Sequence, residues 1–115
     1  MNLIEAISNL SDQSADKTEK LSYLVLKSKD INGGLGFEEE IREIWISKGS
    51  WEIRKYTEQT IQPDNGQTIS KKKNVSESTI SDERLLELIT NGNLDIHEVS
   101  ELLKNIIKTL NLPRL

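Results

Sequence analysis

The sequence predicts an α+β domain of order α-β-β-β-β-α-α: two layers, with a four-stranded antiparallel meander sheet carrying a short N-terminal helix and a C-terminal helical hairpin on one face. Three observations predict it. Residues 40–75 contain two tight-turn signals, Lys48-Gly49 and Asn65-Gly66. Around the first of them the apolar residues alternate with a period of two. After Ile80 the period becomes 3.6, and capping residues open the helical runs. Residues 1–115 form a single domain, long enough to close a hydrophobic core without staples.

Leu3, Ile4, Ile7 and Leu10 recur at helical spacing, and Asn2 with Glu5 has the form of a capping box. So short a helix is marginal in water and has to dock on something. Ser11 to Glu19 is polar throughout and reads as a loop. Leu21 to Lys29 is the first strand, with Tyr23 and Val25 facing one way and Leu24 and Leu26 the other. A centre apolar on both sides points to an interior position in the sheet. Residues 30–36 (DINGGLG) form a flexible connection.

Phe37 to Lys48 fits two periods. Phe37, Ile41, Ile44 and Trp45 fall on one helical face, yet the next segment favours a strand. With Lys48-Gly49 as a two-residue hairpin loop, Ile46 lies opposite Trp51 and Ile44 opposite Ile53. On the reverse face Trp45 meets Glu52, Glu43 meets Arg54 and Ile41 meets Tyr56. Such pairs each contribute about 0.2–1 kcal/mol. Arg42 opposite Lys55 is the unfavourable pair. This register sends one tryptophan to each face of the hairpin, whereas helices stacked on one side of a sheet cover only one of them.

The third strand runs from Trp51 to Gln62, and Pro63-Asp64-Asn65-Gly66 turns the chain back. The fourth, Gln67 to Val75, is expected to pair Glu58 with Lys73 and Tyr56 with Val75, followed by a polar connection to Thr79. Ser81 then caps a helix with Asp82 and Glu83 in its first turn, where negative charge suits the helix dipole. Ile80 and Leu85 form a hydrophobic staple, Leu85, Leu86 and Ile89 a buried stripe, and Gly92 a left-handed stop. Asp95 with Glu98 caps the last helix, Leu94 and Val99 staple it, and its stripe runs from Val99 through Leu102, Leu103, Ile106 and Ile107 to Leu110 before Pro113.

Composition narrows the function. The chain has no cysteine, which excludes disulfides and thiolate metal sites and fits a reducing, cytoplasmic setting. The start of the chain lacks the basic and apolar pattern of a secretory signal, and no apolar run approaches the roughly 20 residues that span a bilayer. A net charge of -4 argues against a general nucleic-acid binder.

Catalytic chemistry finds few residues. His97, the only histidine, sits in the first turn of the last helix, where an exposed side chain explains it better than a general base. Asp95 and Glu98 already serve as caps, so with His97 they make no convincing metal set. The fragment from Asp30 to Gly34 starts like a calcium loop but has Leu35 where glycine is required and Ile41 in place of the last glutamate. Gly34 and Gly36 begin a dinucleotide motif that fails at Glu39. No cofactor is expected, and an enzyme is the least supported class.

Recognition is what remains. Ile41, Trp45, Arg54, Tyr56 and Val75 share the reverse face with Glu43, Glu52, Glu58 and Lys73. Aromatics and arginine among charges are the make-up of a protein-binding surface. The reading is therefore a protein-binding module whose partner is another protein or a second copy of the chain. A return of the first helix over this face is the competing structural explanation. The second functional reading uses Lys71, Lys72 and Lys73 as an anion-binding strand for nucleic acid or phosphate, against which stands the common use of edge lysines to block strand pairing.

Overall fold

The computed structural model describes residues 2–62 and 66–110 and has the expected element order. Helix α1 spans Leu3–Gln13, strands β1 to β4 span Thr18–Ile31, Gly36–Ser47, Ser50–Ile61 and Ile69–Ile80, and helices α2 and α3 span Asp82–Thr90 and Ile96–Leu110. The sheet is an antiparallel meander of order β1-β2-β3-β4. The residues Pro63, Asp64 and Asn65 of the second turn signal, and Pro113 after α3, lie outside the described residues.

The central hairpin settles the ambiguity of residues 37–48 in favour of strand. Lys48 and Gly49 have φ of 49° and 82°, the two left-handed positions of a type I′ loop. Every pair expected across it forms, from Ile46–Trp51 to Ile41–Tyr56. The backbone N–H of Lys48 donates to the Lys17 carbonyl at 2.7 Å, tying the hairpin end to the connection after α1.

All three helices lie on one face. Ile7 and Leu10 of α1, Leu85 and Leu88 of α2, and Leu102 and Ile106 of α3 enclose a core with Leu21, Ile44, Ile46 and Trp51 from the sheet. Each such side chain, fully buried, contributes about 1.5–3 kcal/mol. Helix α1 therefore seals the same side as α2 and α3, and it does not return over the reverse face. Its side chain Asn2 accepts the Glu5 N–H at 3.0 Å, as a cap should.

Several boundaries differ from the sequence reading. The first helix continues through Ser11, which is buried and donates to the Ser8 carbonyl at 3.0 Å, so the polar loop is shorter than expected. In α2 the buried positions are Leu85 and Leu88, with Leu86 and Ile89 partly buried beside the core. Strand β4 continues to Ile80, so Asn74 to Thr79 is strand instead of connection. Strand β1 is an edge strand and not an interior one. Its apolar centre is covered from above: Asn105 of α3 donates to the Leu21 carbonyl at 2.7 Å, and Leu21 is fully buried as the extra residue of a bulge.

A further bulge decides the register of β4. Lys55 pairs with Ser76 and Thr57 with Lys73, so Asn74 and Val75 together oppose Tyr56. Asn74 takes φ of 55°, a conformation asparagine tolerates better than most residues. Below the bulge the strand slips by one: Glu58 pairs with Lys72 and not with Lys73. Since neighbours along a strand point to opposite faces, Lys72 joins the reverse face while Lys71 and Lys73 move to the helix side.

Candidate functional site: the open face of the sheet

The register places the reverse-face residues in rows across the strands. Val25, Ile41, Tyr56 and Val75 form a band crossing all four strands. Above it lie Tyr23, Glu43, Arg54 and Glu77; below it Ser28, Glu39, Glu58 and Lys72. Ile41, Trp45, Arg54, Tyr56 and Val75, the residues expected to bind a partner, are thus together on one surface. Among the described residues no helix packs over it.

The surface is covered in part by its own cations. The guanidinium of Arg54 lies 4.1 Å from the centre of the Trp45 ring, the Lys72 ammonium 4.5 Å from that of Tyr56, and the Lys20 ammonium 5.0 Å from that of Tyr23. Each cation sits over the face of its aromatic ring, attracted by the ring quadrupole. Lys72 thereby helps to bury Tyr56, and Ile41 beside it is also buried. Val75 remains 58% exposed and Tyr23 39%, and these are the apolar groups on offer.

Glu43 organises the centre. Its carboxylate is buried and accepts from the Trp45 indole N–H at 2.9 Å, the Tyr56 hydroxyl at 2.9 Å and the Lys20 ammonium at 3.5 Å. Burial opposes its charge, but the hydrogen bonds from Trp45 and Tyr56 and the charge of Lys20 prevail, and its pKa is lowered. The Tyr56 hydroxyl is pushed up by burial first and then by donation to Glu43. Tyr23 is raised by burial and by the charges of Glu39, Glu58 and Glu43. The indole and the phenol are held in fixed orientations, a preorganised surface. A cleft of about 390 Å³ opens here between Lys20, Glu43, Trp45, Arg54, Tyr56, Lys72, Val75 and Glu77.

Sequence reasoning placed Glu43 on this face without giving it a role, and passed over Lys20 because the strand begins earlier than Leu21. The available signal was Glu43 itself, an acid between Ile41 and Trp45 at strand spacing.

The three lysines do not converge. Lys73 pairs with Glu38 at 3.1 Å, Lys72 stacks on Tyr56, and Lys71 stands opposite Gln59 on the helix side. Glu38 also accepts from Gln59 at 2.8 Å and pairs with Lys29 at 3.1 Å, forming a charged cluster where the strands outrun the helices. At the last helix His97 donates its backbone N–H to Asp95 Oδ1 at 2.8 Å, and Glu98 accepts the Asp95 N–H at 2.9 Å, closing the expected cap. Among the described residues no three acidic or histidine side chains cluster to hold a metal ion, and no helix is long and apolar enough to cross a membrane.

No protein-family model matches this chain, and comparison with curated proteins and with solved structures finds no significant similarity.

Proposed function

We propose that this chain is a non-enzymatic protein-binding module, acting in the cytoplasm as an adaptor, inhibitor or regulatory subunit through the reverse face of its sheet. The observation that carries the reading is a face without a helix over it among the described residues, on which Trp45 and Tyr56 are locked onto Glu43 and Arg54, held by Glu52 at 2.8 Å, stacks on Trp45, beside exposed Tyr23 and Val75. Trp, Tyr and Arg are the side chains that dominate binding energy, and fixing them beforehand lowers the entropy cost of association.

The edges of the sheet favour the face over strand addition. Strand β1 carries bulges at Leu21 and Leu26, and β4 carries one beside its three lysines. Bulges and lysines both discourage pairing with a further strand. The division of Lys71 and Lys73 from Lys72 between two faces leaves the anion-binding reading with less support.

Capture of partners from an extract of the native host tests the proposal, with Val75→Asp as the probing variant and Lys71→Asp as the control on the other face. A protein bound by wild type and control but lost with Val75→Asp supports it. Capture indifferent to Val75→Asp refutes it. Because Val75 is exposed, the variant keeps its urea midpoint, so folding is not confounded with binding.

A further inference from the structure

We infer that the occupant of the reverse face is a second copy of this chain, packed face to face about a two-fold axis running along the band Val25–Ile41–Tyr56–Val75. The inference rests on the reading of that face as a recognition surface and adds the identity of the partner.

The distribution of charge about the band carries it. On β3, Arg54 lies two residues to one side of Tyr56 and Glu58 two residues to the other. On β4, Glu77 lies on the Arg54 side of the bulge and Lys72 on the Glu58 side. A two-fold axis along the band exchanges the two sides while keeping each strand over its own copy. It therefore sets Arg54 against Glu58 of the second copy and Glu77 against Lys72 of the second copy, each pair occurring twice. An isologous interface requires this kind of self-complementarity. On β2 the same operation opposes Glu39 to Glu43, but Glu43 is buried and already takes bonds from Lys20, Trp45 and Tyr56. On the axis exposed Val75 meets Val75 of the second copy, while Ile41 and Tyr56 are already buried within each chain.

Size and geometry agree. Strands of 12 residues or more in a four-stranded sheet, with strands about 4.8 Å apart and a rise of about 3.3 Å per residue, give a face of roughly 19 by 40 Å. That is close to the roughly 800 Å² each partner contributes to a standard interface. Rotation about an axis perpendicular to the strands leaves the two sheets' strands aligned apart from their twist, as in packed sandwiches. The dimer would have four layers, with helices outside and two sheets within.

Sedimentation and light scattering on the full chain, over a concentration series, provide the test. Wild type should reach twice the 13.1 kDa chain mass. Lys72→Glu sets two acids together across the axis and Glu77→Lys two bases, so each variant alone should dissociate at concentrations about tenfold higher or more. Mixing the two variants sets Glu at 72 against Lys at 77 and Lys at 72 against Glu at 77, and the dimer should return as a heterodimer. Return on mixing is specific to this axis, because no general loss of folding or solubility is cured by a second defective chain. A wild type that stays monomeric up to about 1 mM, where a dimer would be worth no more than about 4 kcal/mol, overturns the inference, as does a dimer indifferent to both variants or a mixture that stays dissociated. In the monomeric case, host-protein capture lost with Val75→Asp would still uphold the face as a binding surface for another protein.

Discussion

The indole N–H of Trp51 donates to Asp82 Oδ1 at 2.9 Å, joining the sheet to the first turn of α2. The other oxygen of Asp82 accepts from the Ser8 hydroxyl at 3.1 Å, with the Ser11 hydroxyl, whose proton goes to the Ser8 carbonyl, 3.4 Å away; both serines are on α1. One carboxylate thus ties together three elements distant in sequence. Trp51 is fully buried, so its N–H depends on this acceptor, an unpaired buried donor being costly. Asp82→Ala should destabilise the chain by about 2–3 kcal/mol, above the loss of a favourable dipole charge, which is worth about 0.3–1 kcal/mol. Asp82→Asn retains an acceptor and should lose less. Urea unfolding followed by tryptophan emission measures both.

Glu98 shows the same economy at the opposite end of the helix layer. It caps α3 through the Asp95 N–H and forms a bidentate ion pair with Arg42, whose Nε lies 2.8 Å from Oε2. The Glu98 side chain is fully buried, whereas that of Arg42 is 18% exposed. The hydrogen bond to Glu98, first among the causes, raises the Arg42 pKa against the cost of its burial. Removing one member of such a pair leaves a buried charge unmatched, a loss of about 3–5 kcal/mol where both are fully sealed and less where one reaches solvent. Glu98→Ala should cost about 3 kcal/mol and Glu98→Gln, which keeps the acceptor for Asp95, clearly less. The loss from wild type to Glu98→Gln measures the charge, and the further loss in Glu98→Ala measures the cap and the packing.

These two carboxylates also mark where sequence reading stopped. The hairpin register was legible because Lys48-Gly49 fixes it locally and every facing pair follows from counting. Asp82 was legible only as a first-turn acid suited to the helix dipole and Glu98 only as part of a capping box, since their other partners lie 31 and 56 residues away. The unfavourable pairing of Arg42 with Lys55 was the one hint that Arg42 has a partner outside the sheet. On the candidate site, the face shared by Trp45, Tyr56 and Arg54 followed from the hairpin alone. The position of Lys72 did not, because it depends on a bulge that no turn residue announces. Strand β4 was cut short for a related reason: exposed along nearly its whole length, it has no buried side to impose alternation.

Gly36 is required by close packing and not by a turn. It begins β2 between Ile31 and Ile61, and a Cβ built on it would stand 2.4 Å from the Thr60 carbonyl oxygen and 3.2 Å from the Ile61 Cα. Backbone atoms paired in a sheet yield little, so Gly36→Ala should push β2 and β3 apart at the open end at a cost of about 1–3 kcal/mol. Amide hydrogen exchange should quicken in residues 36–38 and 59–61 and stay unchanged at Ile44 and Ile46, because the helix-covered end holds the sheet independently. Uniform acceleration would mean that the two ends unfold as one unit.

Acid should weaken the open end first. Glu38 is drawn down from an ordinary 4.5 to about 2 by the hydrogen bond from Gln59, then by those from Lys29 and Lys73. A carboxyl whose folded pKa is depressed favours folding fully above its unfolded value, and that contribution declines as pH falls through the folded one. The window for Glu38 is therefore about 4.5 down to 2, and Glu43, also lowered, acts in the same direction. Glu38→Gln removes one of these two titrations. At neutral pH it should be less stable than wild type, since an amide attracts Lys29 and Lys73 less. On acidification its urea midpoint should fall less steeply, and the two curves should meet near the bottom of the window. Curves that remain parallel would show that Lys29 and Lys73 leave Glu38 in solution and that its carboxylate adds nothing to the fold.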